Sequence, residues 1–421
     1  MRLHIQDGFV VRDDSIVKED IFIDNGRAVR PDADFRADEI IDARGLYVMR
    51  GFIDMHTHLR EPGFEYKEDV ASGTAAALKG GFTAVCCMPN TNPPADNPAV
   101  IAYIKERAAA ADNCRVYPIG TITKGQKGGE ITEMYRLKQA GAVALSDDGY
   151  PVESGGVMRL ALEYAKTVGI PLICHEEDTD IAAAGVVNEG YSATVSGLRG
   201  ISRAAEEVMI ARDVILAESL DASVHIAHVS TKGGLEIIRN AKKRGVKVTC
   251  ETCPHYFAAN DGLILSFDTN TKVNPPLRGE DDRLAVIAAI KDGTVDAIVT
   301  DHAPHHINDK FVEYNYAANG ISGLETAFQL ANTFLVKKSG ASLSALSKLM
   351  SANPARILGL DKKPEYAEAD FTVVDTETPS KIDVKSFVSK GKNSPFDGWD
   401  VYGSVRYTIV GGRVKYGSGG K

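Results

Sequence analysis

The feature that most constrains the fold is a repeated alternation of short apolar strands and helix-like stretches through the middle of the chain. Eight strand-like segments occupy residues 51–58, 82–90, 115–122, 142–148, 170–176, 223–230, 247–255 and 296–304. Strands that alternate with helices form parallel sheets, and eight successive units predict a closed (β/α)8 TIM barrel, an α/β fold. A doubly wound open sheet is the alternative, which eight consecutive units disfavour.

The two ends of the chain show a different pattern. Both contain short segments in which apolar and polar residues alternate, broken by turn-forming pairs such as Asp-Gly and Asn-Gly. We predict a small β-sandwich domain built from residues 1–50 and 361–421, and a barrel domain over residues 51–360. Further helices are expected after the last strand, over residues 324–358.

Composition and charge exclude several functional classes. The chain has 57 acidic and 48 basic residues among 421, a net charge of −9, whereas a nucleic-acid binder needs a basic face. No apolar run approaches the roughly 20 residues that span a bilayer, so no membrane segment is expected. Six cysteines are too few for a disulfide scaffold and fit a reducing, cytoplasmic setting.

Side chains that bind metals lie at the carboxyl ends of the predicted strands, where barrel enzymes build their active sites. They are His56, His58, Asp148, His175, His228 and Asp301. His56 and His58 are two residues apart and therefore face the same side of a strand, as a zinc site requires. The barrel is accordingly predicted to be a metal-dependent catalytic domain.

At two of these strand ends the neighbouring residues compete. The apolar pattern of strand four favours Asp148 over Asp147 as the residue that faces inward. In strand six the pattern slightly favours His225, whereas position at the strand end favours His228, so the choice stays open. A single Cys250-x-x-Cys253 pair is weak evidence for a metal site, and we expect buried, inert thiols there.

Four motifs make the chain resemble the dihydroorotases of the amidohydrolase superfamily, in particular the bacterial class I type. They are DMHTHLREPG at 54–63, MPNT at 88–91, NPPLR at 274–278 and TDHAPH at 300–305. The resemblance runs essentially from end to end, with the motifs in family order. It implies a hydrolase that cyclises N-carbamoyl-L-aspartate reversibly to L-dihydroorotate in de novo pyrimidine biosynthesis, with one or two zinc ions.

The resemblance also implies roles for individual residues. The implied metal ligands are His56, His58, Asp148, His175, His228 and Asp301, a choice that selects His228 over His225. Asp301 is in addition the implied catalytic proton shuttle. The implied substrate-binding residues are His58, Arg60, Asn90, Asn274, His305, Asn319 and Gly320. Many superfamily members bridge two metals with a carboxylated lysine, but here Asp148 stands in that region.

Two other functions remain as alternatives. One is a hydantoinase- or allantoinase-like cyclic amidase, which the missing lysine disfavours. The other is an inactive dihydroorotase-like scaffold for a partner enzyme, which predicts missing ligands, whereas all six are present. We expect a small-molecule substrate, no nucleic acid, no membrane, a homodimer and aspartate transcarbamoylase as a candidate partner. The long, irregular stretch from His305 to Gly320 suggests a lid.

Overall fold

A closed parallel barrel forms the centre of the computed structural model, which describes residues 1–363 and 368–418. Its eight strands are Phe52–Thr57, Phe82–Cys87, Arg115–Gly120, Ala144–Leu145, Ile173–Cys174, Val224–Ile226, Val248–Thr252 and Ala297–Ile298. They pair in two groups of four, and parallel bridges from Leu145 to Leu172 and from Thr57 to His302 join the groups. The sheet therefore closes, which confirms the barrel over the open sheet.

Helices on the outside of the barrel cover these strands. The longer ones are Val70–Lys79, Pro98–Ala111, Met134–Ala140, Gly155–Val168, Ala204–Leu220, Lys232–Lys243 and Glu280–Lys291. Their ends follow ordinary capping chemistry. Asn97 accepts hydrogen bonds from the first turn of a helix that begins with Pro98, and Gly169 ends another helix in the left-handed conformation (φ 69°). Strands buried on both faces are largely apolar, as in Phe82–Cys87, where Thr83 is the one polar residue.

Shorter helical segments make up the loops and the region after the last strand. Those in the loops are Lys124–Gln126, Thr179–Ala182, Tyr191–Ser196, Pro254–Ala258, Asp261–Ser266, Thr269–Thr271 and Ile307–Lys310. Those after the last strand are Leu324–Thr326, Ala327–Ala331, Asn332–Lys337, Leu343–Ser347, Lys348–Ala352, Asn353–Ile357 and Leu360–Lys362. The helices expected over residues 324–358 are therefore present.

The two termini together form a second sheet of eight strands. The strands are Arg2–Val11, Ile16–Asp24, Arg27–Val29, Glu39–Asp42, Tyr47–Arg50, Phe371–Lys381, Asp400–Val410 and Arg413–Gly417. Most pairs are antiparallel, but Arg2–Val11 pairs in parallel with both Glu39–Asp42 and Tyr47–Arg50. Tyr47–Arg50 also pairs with Phe371–Lys381, so strands from the two ends interleave. A separate apolar cluster that includes Leu3, Ile5 and Val373 lies against this sheet.

One C-terminal segment leaves the terminal sheet and reaches the barrel. It lies between Phe371–Lys381 and Asp400–Val410 and contains the short helix Val384–Ser386. Its Asn393 is buried against the loops that follow the last barrel strand. Across residues 1–363 and 368–418, no helix combines the length and the apolar character needed to cross a membrane.

Candidate metal centre and substrate site

Asp148 lies at the centre of a buried cluster at the carboxyl ends of the barrel strands. Its Oδ1 is 3.2 Å from His56 Nε2 and 3.4 Å from His228 Nε2. Its Oδ2 is 3.4 Å from His58 Nε2. The fourth imidazole belongs to His175, whose Nδ1 lies 2.8 Å from His228 Nε2 and 3.7 Å from Asp148 Oδ1. One carboxylate therefore has both of its oxygens among four imidazoles.

Asp301 supplies the second carboxylate of the cluster. Its Oδ1 is 3.2 Å from His58 Nε2 and 3.5 Å from His56 Nε2. The side chains thus fall into two overlapping groups, one of His56, His58 and Asp301 and the other of His56, Asp148 and His228. Both groups have the imidazole and carboxylate composition that zinc and similar divalent metals prefer.

The tautomers of His56 and His58 aim their lone pairs into this cluster. His56 Nδ1 donates to Glu251 Oε1 at 2.8 Å, and His58 Nδ1 donates to Asn90 Oδ1 at 2.9 Å. In a neutral imidazole held this way, Nε2 carries the lone pair. These nitrogens face carboxylate oxygens, so two hydrogen-bond acceptors lie opposite each other and their lone pairs repel. A cation between the nitrogen and the oxygen would relieve that repulsion. The residues present therefore fit a bound metal.

Unpartnered atoms and shifted pKa values lead to the same conclusion. Among the described residues, His56 Nε2 and His228 Nδ1 are buried without a hydrogen-bond partner. Burial opposes protonation of His56, but the charges of Asp148 and Asp301 outweigh it and raise the pKa of His56 well above its ordinary value. Burial likewise opposes ionisation of Asp301, but the charge of His56 and the hydrogen bond from His58 lower its pKa to about 2. Such negative potential attracts a metal cation as it attracts a proton.

The backbone explains why strand alternation alone did not decide between His225 and His228. The sixth barrel strand ends at Ile226, and His228 lies beyond it with a left-handed backbone (φ 32°). The alternation of inward and outward side chains therefore ends at Ile226, two residues before His228. His225 lies behind the cluster, where its ring contacts Thr249 Oγ1 at 2.7 Å and Glu251 Oε2 at 3.1 Å.

The structure also separates the two neighbouring aspartates of the fourth strand end. Asp148 faces the imidazoles, whereas Asp147 Oδ1 accepts hydrogen bonds from the backbone N–H groups of Ile122 and Thr123. Burial raises the pKa of Asp147 to about 6. Asp147 thus holds the loop after the third strand, and only Asp148 is placed to bind a metal.

Arg60 extends from the first strand end with a cation that lacks an anionic partner. Its backbone is left-handed (φ 62°), which turns the side chain back over the site. Nε donates to the Pro304 carbonyl at 3.2 Å, and one terminal nitrogen lies 3.3 Å from His305 Nε2. Over residues 1–363 and 368–418, no carboxylate lies within 4.0 Å of this guanidinium. Burial lowers its pKa to about 10, so the group stays charged near neutral pH.

His305 lies between two cations and stays neutral. Nε2 donates to the Asn319 carbonyl at 2.8 Å, and Nδ1 lies 3.3 Å from Lys67 Nζ, which donates to it. Burial, together with the charges of Arg60 and Lys67, lowers the pKa of His305 to about 2. Lys67 is paired with Asp309 at 3.4 Å, so Arg60 provides the unpaired positive charge on this side of the site, suited to a carboxylate.

The remaining substrate residues implied by the resemblance lie around the same opening. Asn90 orients His58, and Asn274 Nδ2 donates to Glu177 Oε2 at 2.9 Å. The side chain of Asn319 is exposed, so its carbonyl is what contacts His305. At Gly320 (φ 142°), an added Cβ would lie 2.6 Å from the Ala303 carbonyl oxygen, so only glycine fits.

The segment from His305 to Gly320 is tied to its neighbours. It contains the helix Ile307–Lys310, and the buried Lys310 Nζ donates to the carbonyls of Thr269, Lys272 and Ala318 at 3.1, 3.2 and 2.6 Å. Tyr314 adds a hydroxyl contact of 3.0 Å to Thr271. These bonds hold the segment beside the site, and opening as a lid stays a prediction.

Three residues that the sequence analysis did not single out support the site. Glu251 is fully buried and joins His56 to His225, and Glu177 contacts both Asn274 and His175. Asn393 accepts from the His305 N–H at 2.9 Å and donates to the Gly320 carbonyl at 2.9 Å. Glu251 could have been found, because a charged residue within an otherwise buried strand needs a buried partner.

All six cysteines are buried and free, as expected for thiols in the barrel. Cys250 and Cys253 do not act as a pair. Cys250 Sγ donates to the Thr294 carbonyl at 3.3 Å, whereas Cys253 lies near Asp301 and His255.

Comparison with known proteins agrees with this geometry. A family model described as dihydro-orotase-like matches residues 45–234. The dihydroorotase of Geobacter metallireducens is 53% identical over 99% of this chain and 100% of its own length. The dihydroorotase of Acetivibrio thermocellus is 52% identical over 98% of this chain and 94% of its own. Among solved structures, an L-hydantoinase (dihydropyrimidinase) from Arthrobacter aurescens superposes with a TM-score of 0.87 at 25% identity, covering 98% of this chain and 95% of that one.

Structural similarity thus extends to cyclic amidases of another substrate class, while sequence identity near one half over nearly the whole chain is found with dihydroorotases. The chain therefore belongs to the dihydroorotase family.

Proposed function

We propose that the chain catalyses the reversible cyclisation of N-carbamoyl-L-aspartate to L-dihydroorotate and water, in pyrimidine biosynthesis. The observation that carries this choice over a neighbouring cyclic amidase is the half-buried Arg60 guanidinium, which has no carboxylate within 4.0 Å among the described residues. Dihydroorotate has a ring carboxylate, and simple hydantoins do not. A desolvated arginine therefore distinguishes the two substrate classes.

The metal ligands we propose are His56, His58, Asp148, His175, His228 and Asp301. Asp148 would hold both ions where two are bound, since its two oxygens face different imidazoles. Zinc, as one or two ions, suits this donor set, and when bound it supplies a Lewis acid that polarises the amide carbonyl and acidifies water. Glu251 and Asn90 keep His56 and His58 in the tautomers that bind metal.

Asp301 moves the proton in this mechanism. In the hydrolytic direction its carboxylate accepts the proton of the attacking water and then donates it to the leaving ring nitrogen. The Asp301 carboxylate is ionised near neutral pH, which is the form that accepts a proton. In the synthetic direction the same oxygen acts in the reverse order.

The substrate is positioned by the residues around Arg60. Arg60 binds the ring carboxylate through two parallel N–H donors. Asn90, His305 and Asn274 lie around the same opening and contribute further polar contacts. The Asn319 carbonyl and the Gly320 backbone lie next to His305. Asn393 bonds to the backbone of both His305 and Gly320 and so holds these two positions together.

The proposed function is tested by comparing two substrates. We expect the purified, zinc-loaded protein to have a much higher kcat/KM for dihydroorotate than for an uncharged hydantoin, because only dihydroorotate gives Arg60 an ionic partner. Steady-state kinetics in both directions for dihydroorotate, and in the hydrolytic direction for the hydantoin, make the comparison. Preference for the hydantoin would contradict the assignment and favour the neighbouring amidase activity.

A second prediction concerns the bridge. Asp148→Asn removes one carboxylate oxygen and the negative charge that faces His56 and His228, so metal affinity should fall. Loss of a mere supporting partner weakens metal binding by about 10- to 100-fold, and loss of a bridging ligand should exceed that range. Metal content after equilibrium dialysis measures the effect. Asp147→Asn is the matched control, because that side chain faces backbone N–H groups instead. Equal metal content in both variants would exclude Asp148 as the bridge.

Several further features of this function stay predictions. They are the division into a β domain of residues 1–50 and 361–421 and a catalytic domain of residues 51–360, a homodimer, association with aspartate transcarbamoylase, and a cytoplasmic location.

A further inference from the structure

A second group of metal-type side chains lies beside the proposed catalytic centre. Cys253, His255 and Asp301 bring a thiol, an imidazole nitrogen and a carboxylate oxygen within 4.8 Å of one another. All three are buried, with exposed fractions of 0%, 2% and 8%. The proposed function assigns a role to Asp301 but none to Cys253 or His255.

His255 provides an independent sign of a ligand. Its Nε2 is buried and has no hydrogen-bond partner in the described part of the chain. Buried polar atoms in native proteins are normally paired, and an exception indicates a bound ion or a chemical role. His255 belongs to the same group as a thiol and a carboxylate, so it combines an unpaired ring nitrogen with two further metal-type side chains.

The surroundings of Cys253 are negative. The charges of Asp301, Glu251, Asp54 and Asp148 all act on its thiol. Such an environment disfavours a free thiolate but favours a cation that the thiolate binds directly. Sulfur with imidazole and carboxylate is a donor set for zinc and cadmium rather than for magnesium or calcium.

Asp301 has an oxygen available for this group. Its contacts with His56 and His58 both use Oδ1, at 3.5 and 3.2 Å. A carboxylate has two oxygens and can bind on both. An ion held by Cys253 and His255 would therefore share Asp301 with the catalytic centre.

We propose that Cys253, His255 and Asp301 form an additional, inhibitory site for thiophilic divalent ions, which fills only when such ions are in excess. On binding, the Cys253 S–H bond is replaced by a sulfur–metal bond, and the proton is released to water. The site is weaker than the catalytic centre because Asp301 already serves that centre and two cations so close repel each other. Inhibition rests on the proposed role of Asp301, since a carboxylate occupied on both oxygens cannot take up a proton; binding itself does not rest on that role.

Cobalt titration tests the proposal. Thiolate ligands give Co²⁺ a charge-transfer band in the near ultraviolet, and the six proposed catalytic ligands contain no sulfur. Filling the catalytic centre with Co²⁺ should therefore give no such band. Excess Co²⁺ should produce the band in the wild type and reduce dihydroorotate turnover in parallel.

Two cysteine variants locate the band. Cys253→Ser should abolish both the band and the inhibition by excess Co²⁺. Cys174→Ser is the matched control, because Cys174 is also buried near two carboxylates, those of Glu176 and Asp213. There, however, Arg212 Nε donates to Asp213 Oδ1 at 2.6 Å, and the charge of Arg212 neutralises that of Asp213. The Cys174→Ser protein should behave like the wild type.

A third variant tests the imidazole without removing the thiol. His255→Gln should raise the Co²⁺ concentration for the half-maximal band by at least about 10-fold, the low end for a weakened metal shell. Absence of the band in the wild type, its persistence in Cys253→Ser, or an unchanged Co²⁺ requirement in His255→Gln would each overturn the site. Because the band does not require catalysis, these outcomes leave the proposed function untouched. A Cys253-dependent band with undiminished turnover would overturn the inhibitory role.

Discussion

Replacing Arg60 by methionine should strongly impair the use of dihydroorotate and N-carbamoyl-aspartate. The guanidinium is half-buried, stays charged and has no carboxylate within 4.0 Å among the described residues, so the substrate carboxylate is its natural partner. Loss of one partner of a buried, hydrogen-bonded charge pair costs about 2–5 kcal/mol. This corresponds to a decrease of about 30- to 4,000-fold in kcat/KM.

Steady-state kinetics of the variant on both substrates measure this decrease. Arg159→Met is a suitable control, because it removes the same charge from an exposed Arg159–Glu163 pair on the outer helix Gly155–Val168. Lysine at position 60 should restore only part of the activity, since an ammonium supplies the charge but not two parallel donors. Unchanged turnover of dihydroorotate by Arg60→Met would show that the carboxylate binds elsewhere, and Lys67 would become the next candidate.

Much of the fold could be predicted because its pattern is local and repeated. Each of the eight predicted strands is present, and helices follow the strands as the alternating pattern of the sequence predicts. Strand length was not predictable to the same degree. The fourth strand is only Ala144–Leu145, whereas the strand predicted from the sequence covers residues 142–148. Barrel closure sets that length through neighbouring strands, and such neighbours are distant in sequence.

The clustering of these imidazole and carboxylate side chains was predictable for a related reason. In a parallel barrel all carboxyl ends meet at one rim, so polar residues that end successive strands must lie together. The rule fails in detail where the backbone leaves the strand. His228 (φ 32°) and Asp301 (φ 47°) both have left-handed backbones, and alternation does not say where such residues point.

The supporting residues were harder to find because they depend on contacts between distant segments. Glu251 and His56 are 195 positions apart. Asn393 lies in a part of the chain whose flanking strands belong to the terminal sheet, and the Asn-Ser-Pro sequence there resembles an ordinary turn. Nothing local distinguishes it from an exposed loop, yet its amide contacts His305 N, Ala303 O and Gly320 O.

Replacing Asp301 by asparagine should lower the rate in both directions while leaving substrate binding nearly intact. General acid–base catalysis contributes about 10²- to 10⁴-fold, and we expect kcat to fall within that range. Asparagine keeps the size of the side chain and one oxygen toward His58, but it cannot take up a proton. The effect should therefore appear in kcat, with KM and the Kd for a substrate analogue changed little.

Because Asp301 is also a proposed metal ligand, the metal content of the variant must be measured together with its rate. A protein that keeps its metal and binds substrate, yet turns over slowly, has lost proton transfer rather than the metal centre. The comparison with Arg60→Met separates the two roles, since that variant should lose substrate affinity while its metal content stays at the wild-type level. If metal-loaded Asp301→Asn turns over like the wild type, the proton must move through a group other than Asp301.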